Sequence, residues 1–162
     1  MRSTIFTSLA LLAATTAAAE TPLGCFTRTY SDDHLAKNPA QIVRSMQVNI
    51  TKDDGDAGQV FADMGVEFAN QGRIAGRKTA GRFMDQFLIC SDETRGFSCF
   101  VECDGGSFTV TRMTADSITI ETSGLWVGNV DGCGGMEDIA EVPGQKMKYL
   151  LRVSDPLACV WN

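Results

Sequence analysis

One histidine, His34, stands in a chain of 162 residues, and that scarcity removes whole classes of chemistry. A Ser/His/Asp or Cys/His nucleophile needs a base of suitable pKa beside it, so His34 alone would have to serve any such site. It lies in a short polar segment with no Gly-x-Ser-x-Gly elbow anywhere in the chain, and reads as a surface or capping histidine. A Cys/His zinc site lacks partners for the same reason. The cysteines include no Cys-x-x-Cys pair, which excludes thioredoxin-like redox and zinc-ribbon spacings. No apolar run reaches the roughly 20 residues of a membrane-spanning helix. Internal repeats and low-complexity tracts are absent as well. Basic residues are the minority, 14 against 20 acidic for a net charge of -6, which argues against a nucleic-acid partner.

What is present begins with an export signal. Arg2, the apolar run Ile5 to Ala14 and the small residues Ala17, Ala18 and Ala19 follow the order of a secretory leader and its cleavage site. Residues 1–19 are therefore expected to be a signal peptide and 20–162 a single β-barrel domain, periplasmic or secreted, with no membrane span after cleavage. Leu23-Gly24-Cys25 imitates a lipoprotein box, but Pro22 stands where Leu is needed and Cys25 lies too far from the apolar run. The mature chain would keep 143 residues and, without Arg2, an acidic charge of -7.

Export decides how the cysteines are read. Cys25, Cys90, Cys99, Cys103, Cys133 and Cys159 all follow the leader, and an even number in an oxidising compartment favours disulfides. Of the 15 connectivities open to six cysteines, we favour Cys25 with Cys159, Cys90 with Cys99 across a hairpin, and Cys103 with Cys133. The competing scheme pairs Cys90 with Cys103 and Cys99 with Cys133.

The mature sequence is dominated by alternation. Ser31 as N-cap, Asp32 and Asp33 in a first turn, and Asn38-Pro39 as a stop predict one short helix. Met46, Val48 and Ile50 then alternate with polar residues, as do Val60 to Phe68, Phe97 to Cys103, Phe108 to Arg112, Ile118 to Trp126 and Met147 to Val153, while Phe83 to Cys90 is an apolar strand. Seven or eight strands at this spacing predict an all-β fold. We favour a small antiparallel barrel, because closure removes exposed edges; the alternative is a β-sandwich. Small barrels fill with side chains, so Phe61, Phe68, Phe83, Phe87, Phe97, Phe100, Phe108, Trp126 and Tyr149 are expected in the core.

Several clusters invite functional readings. Asp53, Asp54 and Asp56 suggest calcium, but they miss the EF-hand spacing and its closing Glu and are better read as a hairpin turn. Gly72 to Thr79 (GRIAGRKT) has too short a glycine spacing for a phosphate loop. Arg73, Arg77, Lys78 and Arg82 remain as a basic patch on an acidic chain, either a solvated face or a contact for an anion or acidic partner. Glu67, Glu102 and Glu121 lie on polar strand faces; a glycosidase would need two of them facing each other across a cleft. No catalytic residue, cofactor or metal site is assigned.

The stretch CFTRTYSDDHLAKNPAQIVRSMQVNI, with Tyr30, His34, Leu35, Pro39 and Gln41, and the later CFVECDGGSFTV, resemble a group of small secreted proteobacterial proteins without assigned activity. The resemblance spans most of the mature chain and implies no catalytic residue. Small periplasmic inhibitor barrels share size, export and disulfides, but their motifs are absent. The sequence thus favours a non-enzymatic, disulfide-stabilised barrel of the cell envelope that binds a protein, basic by charge complementarity, or a small apolar ligand in a hollow interior. Alternatives are an envelope hydrolase using acidic residues and a structural or stress-protective envelope protein.

Overall fold

The computed structural model describes residues 21–55, 58–93, 96–128 and 135–161; the expected leader, Asp56 and Cys133 lie outside them. Strands β1 (Gly24–Thr29), β2 (Val43–Lys52), β3 (Val60–Phe68), β4 (Phe83–Glu93), β5 (Gly96–Phe100), β6 (Gly106–Thr114) and β7 (Ser117–Val127) pair antiparallel, each with the next. The two-residue β8 (Glu137–Asp138) adds to the end of β7, and β9 (Met147–Val153) pairs with both β7 and β1. The last pairing closes an eight-strand up-and-down barrel, which leaves β8 as an extra strand. One helix, α1 (Asp32–Lys37), joins β1 to β2; Ser31 caps it by accepting from the His34 amide at 3.2 Å.

The interior follows from the pleat. Phe26, Val48, Met64 and Gln86 are level on successive strands, with Arg28, Met46, Val66 and Met84 on the neighbouring level. Phe68, Phe108, Ile118, Ile120, Leu125 and Leu151 join them, all inaccessible to solvent. Each apolar side chain of this set stabilises the fold by about 1.5–3 kcal/mol when fully buried, and the apolar members form one continuous core, with Arg28 and Gln86 as its polar exceptions.

Departures from the expected pattern have local causes. No strand pattern is legible for β1, because its inward positions are Phe26 and Arg28, and an inward arginine hides the alternation. β5 ends at Phe100, so Glu102 lies in a turn. Register shifts between Ser107 and Thr109 and between Val110 and Arg112 interrupt the alternation of Phe108, Val110 and Arg112, and Arg112 is exposed. In β7 the buried set runs Ile118, Ile120, Thr122 and then Leu125, Val127; the extra residue at Ser123-Gly124 flips the phase and turns Trp126 outward. Phe68, Phe97, Phe108 and Tyr149 are buried as expected, but Phe83, Phe87, Phe100 and Trp126 are exposed and Phe61 is half-buried.

Candidate functional site

The basic patch divides on inspection of its partners. Arg73 follows Gly72, whose backbone has φ 60° and where a Cβ would meet the Ala40 carbonyl oxygen at 2.7 Å; only glycine fits this close crossing. The turn aims Arg73 into the loop around β8. Its guanidinium binds the Glu137 carboxylate and the Asp138 carbonyl, and Nε donates to the Ala140 carbonyl at 2.9 Å. The Thr79 hydroxyl donates to the other Glu137 oxygen at 2.7 Å. Glu137 is nearly buried, and Arg77 approaches it at 3.6 Å from a more exposed position. Asp138 accepts from the Leu125 and Ala140 amides, and the Tyr149 hydroxyl donates to the Ile139 carbonyl at 2.7 Å. Arg73 therefore anchors the segment after β7 to the barrel, while Lys78 and Arg82 are exposed.

His34 belongs to a stack that seats α1. Arg28 lies 4.8 Å from the Tyr30 ring centre, and Tyr30 stacks on His34 at 4.8 Å, an arrangement that favours a cation over an aromatic face. His34 Nε2 is 2.9 Å from Gln41 Oε1, and Gln41 Nε2 donates to the Val43 carbonyl. Gln71 Nε2 reaches the carbonyls of Leu35, Asn38 and Gln41. Desolvation raises the pKa of Glu141 and the His34 charge opposes it; Tyr30 is raised chiefly by burial. Among the described residues no hydroxyl or thiol is hydrogen-bonded to the His34 ring, whose partner is Gln41.

Of the three carboxylates expected on strand faces, Glu102 lies in the turn after β5 and the other two sit in separate networks on β3 and β7. Glu67 accepts from the Ser45 hydroxyl at 3.2 Å. Glu121 is paired with Lys146 at 2.8 Å and Lys148 at 3.3 Å, whose hydrogen bonds lower its pKa. Asp53 Oδ1 accepts from the Gly55 amide in the β2–β3 turn.

Two disulfides are described. Cys25 is bonded to Cys159 across a Cα separation of 5.8 Å, and Cys90 to Cys99 at 4.0 Å, directly opposite each other on β4 and β5. The competing scheme for Cys90 and Cys99 is thereby overturned, since hairpin register places the two side by side. Cys103 is also disulfide-bonded; its expected partner, Cys133, lies outside the described residues. The Cys25–Cys159 bond fixes a terminal 3-10 turn (Pro156–Cys159) against β1 and places Trp161 edge-on to Phe83 at 5.7 Å.

Phe83 and Trp161 open onto the most unusual surface of the molecule. On β4, Met84, Gln86, Leu88 and Cys90 face the core, so Phe83, Asp85, Phe87 and Ile89 share the outer face. Phe83 lies over Gly65, where a Cβ would meet its Cζ at 2.5 Å; the missing side chain makes the seat for the ring. Phe87 is 50% exposed and packs on Phe61 at 5.2 Å between ring centres. Phe100 continues the band beside Ile89. Set among these rings are two carboxylates: Asp63, directly opposite Phe87, and Asp85, opposite Gly65. Desolvation first, and then the charge of Asp85, raises the Asp63 pKa. Because β5 pairs only with Ile89 to Glu93, the first half of β4 meets the end of β7, where the Gly128 amide donates to the Asp85 carbonyl. Sequence reading placed Phe83 and Phe87 in the core; the available signal was a strand apolar on both faces in a fold that ordinarily wets one.

The architecture belongs to the class of closed up-and-down β-barrels, here with a filled core and an apolar band outside. Comparison with protein-family models, curated proteins and solved structures found no match to this chain.

Proposed function

We propose that this chain is an exported, disulfide-braced, non-enzymatic barrel of the periplasm or extracellular space that binds a protein partner through its outer wall. The observation that carries the reading is the band Phe83, Phe87 and Phe100 with Phe61 and Ile89, exposed or half-exposed on strands whose inner faces are buried, joined by Trp161 from the segment after the terminal turn. Contiguous apolar surface with charge set into it marks interaction sites, and aromatic anchors dominate protein interfaces. The packed core argues for this site over a small apolar ligand held inside. The leader-like residues 1–19 and the disulfides support export. Arg77, Lys78 and Arg82 supply a second, smaller contact for an anionic group, with Arg73 occupied internally.

The test is affinity capture from envelope and secreted fractions at low and high salt, using the mature oxidised protein and its Phe83→Ser/Phe87→Ser variant. A discrete partner should be captured by the native protein and lost with the variant, provided the variant unfolds in urea at a comparable midpoint. Equal capture by both, or none by either, contradicts the reading.

A further inference from the structure

We propose a second site, separate from the aromatic band: the end of the barrel opposite α1 takes a free fatty acid, its aliphatic chain along the apolar rim and its carboxylate on Arg112. Two adjoining troughs of about 430 and 190 Å³ open there, with Pro22 and Met113 lining both. Mouths of β-barrels are favoured ligand sites. In the larger trough Phe26 is buried, while Leu23, Met113 and Val153 are each at least 40% exposed. Buried Phe97 and half-buried Val110 line the smaller one. Among the described residues Arg112 is the one charged group lining either trough.

A local irregularity assembles the site. Thr111 is the extra residue between Val110 and Arg112 in the β6–β7 register, and Val110, Thr111, Arg112 and Met113 all line the smaller trough. A regular strand sends successive side chains to opposite faces; the bulge brings Arg112 to the same trough as its apolar neighbours. The Leu23 amide donates to the Thr21 carbonyl at 2.9 Å, a turn that holds Pro22 between the two troughs.

Charge decides the occupant. Arg152, at the same end, is paired with Asp116 at 3.1 Å, whereas Arg112 forms no ion pair among the described residues. A carboxylate can engage its guanidinium through two hydrogen bonds, and a hydrocarbon chain would take the exposed Leu23, Met113 and Val153 out of water. A long-chain alcohol leaves Arg112 without a counter-charge, and a cationic amphiphile is repelled by it. A second copy of this chain, or a sheet of anionic lipid, would meet a net charge of -6; a single carboxylate placed on the one cation meets little of that repulsion.

The experiment titrates the mature oxidised protein calorimetrically with decanoate, decanol and decyltrimethylammonium below their micelle thresholds, and tests co-sedimentation with phosphatidylglycerol vesicles. Decanoate should saturate at one molecule per chain and bind roughly tenfold tighter than decanol; the ammonium and the vesicles should not bind. Arg112→Gln should reduce decanoate to the level of decanol and leave decanol unchanged, and Leu23→Asp/Val153→Asp should abolish both. Leu150→Asp, exposed on β9, and Phe83→Ser/Phe87→Ser should change neither. In the native protein the methyl resonances of Leu23, Met113 and Val153 should move with decanoate, a readout that needs no variant. Equal binding of acid and alcohol, undiminished binding by Arg112→Gln, loss of binding in Phe83→Ser/Phe87→Ser, vesicle binding without decanoate binding, or no saturable binding overturns the proposal.

Discussion

At the scale of single residues, the positions that matter most are polar groups placed where an apolar side chain would be simpler. Arg73 is one: its guanidinium satisfies a nearly buried Glu137 and two loop carbonyls, so truncation leaves that carboxylate only the longer contact to the more exposed Arg77 and the Thr79 hydroxyl. Arg73→Ala should cost about 3–5 kcal/mol, read as a lower urea midpoint, and an unchanged midpoint would show that the loop is held otherwise. Gln86 is the opposite case. It sits in the barrel interior with Oε1 accepting no hydrogen bond among the described residues, a cost of about 1–3 kcal/mol for such a group. Gln86→Met should therefore leave stability equal or raise it, and a marked loss by the same measurement would reveal a partner for that oxygen. Asp63 is the third. Its pKa is raised in the folded state, so the native chain holds this proton more tightly than the unfolded chain. Stability should fall as pH climbs from the ordinary carboxylate range through the raised value. Asp63→Asn should accordingly raise the melting temperature at neutral pH and make no difference well below the ordinary carboxylate value.

At the scale of elements, β4 and the terminal turn cooperate. β4 carries the core on one face and the aromatic band on the other, while the Cys25–Cys159 bond, spanning 134 positions, brings Trp161 to Phe83. Chain-entropy arguments assign about 5 kcal/mol to a loop of that length and about 3 kcal/mol to the nine-residue separation of Cys90 and Cys99. Cys25→Ser/Cys159→Ser should thus lower stability by more than Cys90→Ser/Cys99→Ser, and it should also alter Trp161 fluorescence as the edge contact with Phe83 is released. Equal losses with unchanged emission would mean that the turn is held by packing alone.

Strand positions were largely legible in the sequence because alternation survives wherever one face is wet and the other dry. β3 and β9 match their expected ends, and α1 was readable from Ser31, Asp32, Asp33 and Asn38-Pro39. Legibility failed where a second signal interfered. Arg28 masked β1, the bulge near Ser123-Gly124 inverted the phase at Trp126, and β8 is too short to show a period. The candidate site was hidden for a related reason. Phe83 and Phe87 look like core residues in any hydropathy reading, and only the register of β4, with Met84, Gln86 and Leu88 inward, turns them out. Arg73 looked like surface charge because Glu137, its partner, lies 64 positions away.

At the scale of the whole molecule, the closed barrel is braced by disulfides, and the binding proposed for it is placed on its outer wall. A rigid surface loses little conformational entropy on binding, which suits recognition by a few aromatic groups. The most direct test places a photo-crosslinking amino acid at position 87 in one protein and at position 148 in another, in the cell that makes them. A discrete covalent adduct with another protein should form from position 87 and not from position 148, and should disappear when Phe83 is changed to Ser. Adducts of equal yield from both positions, or none from position 87, would contradict the assignment of function to this wall.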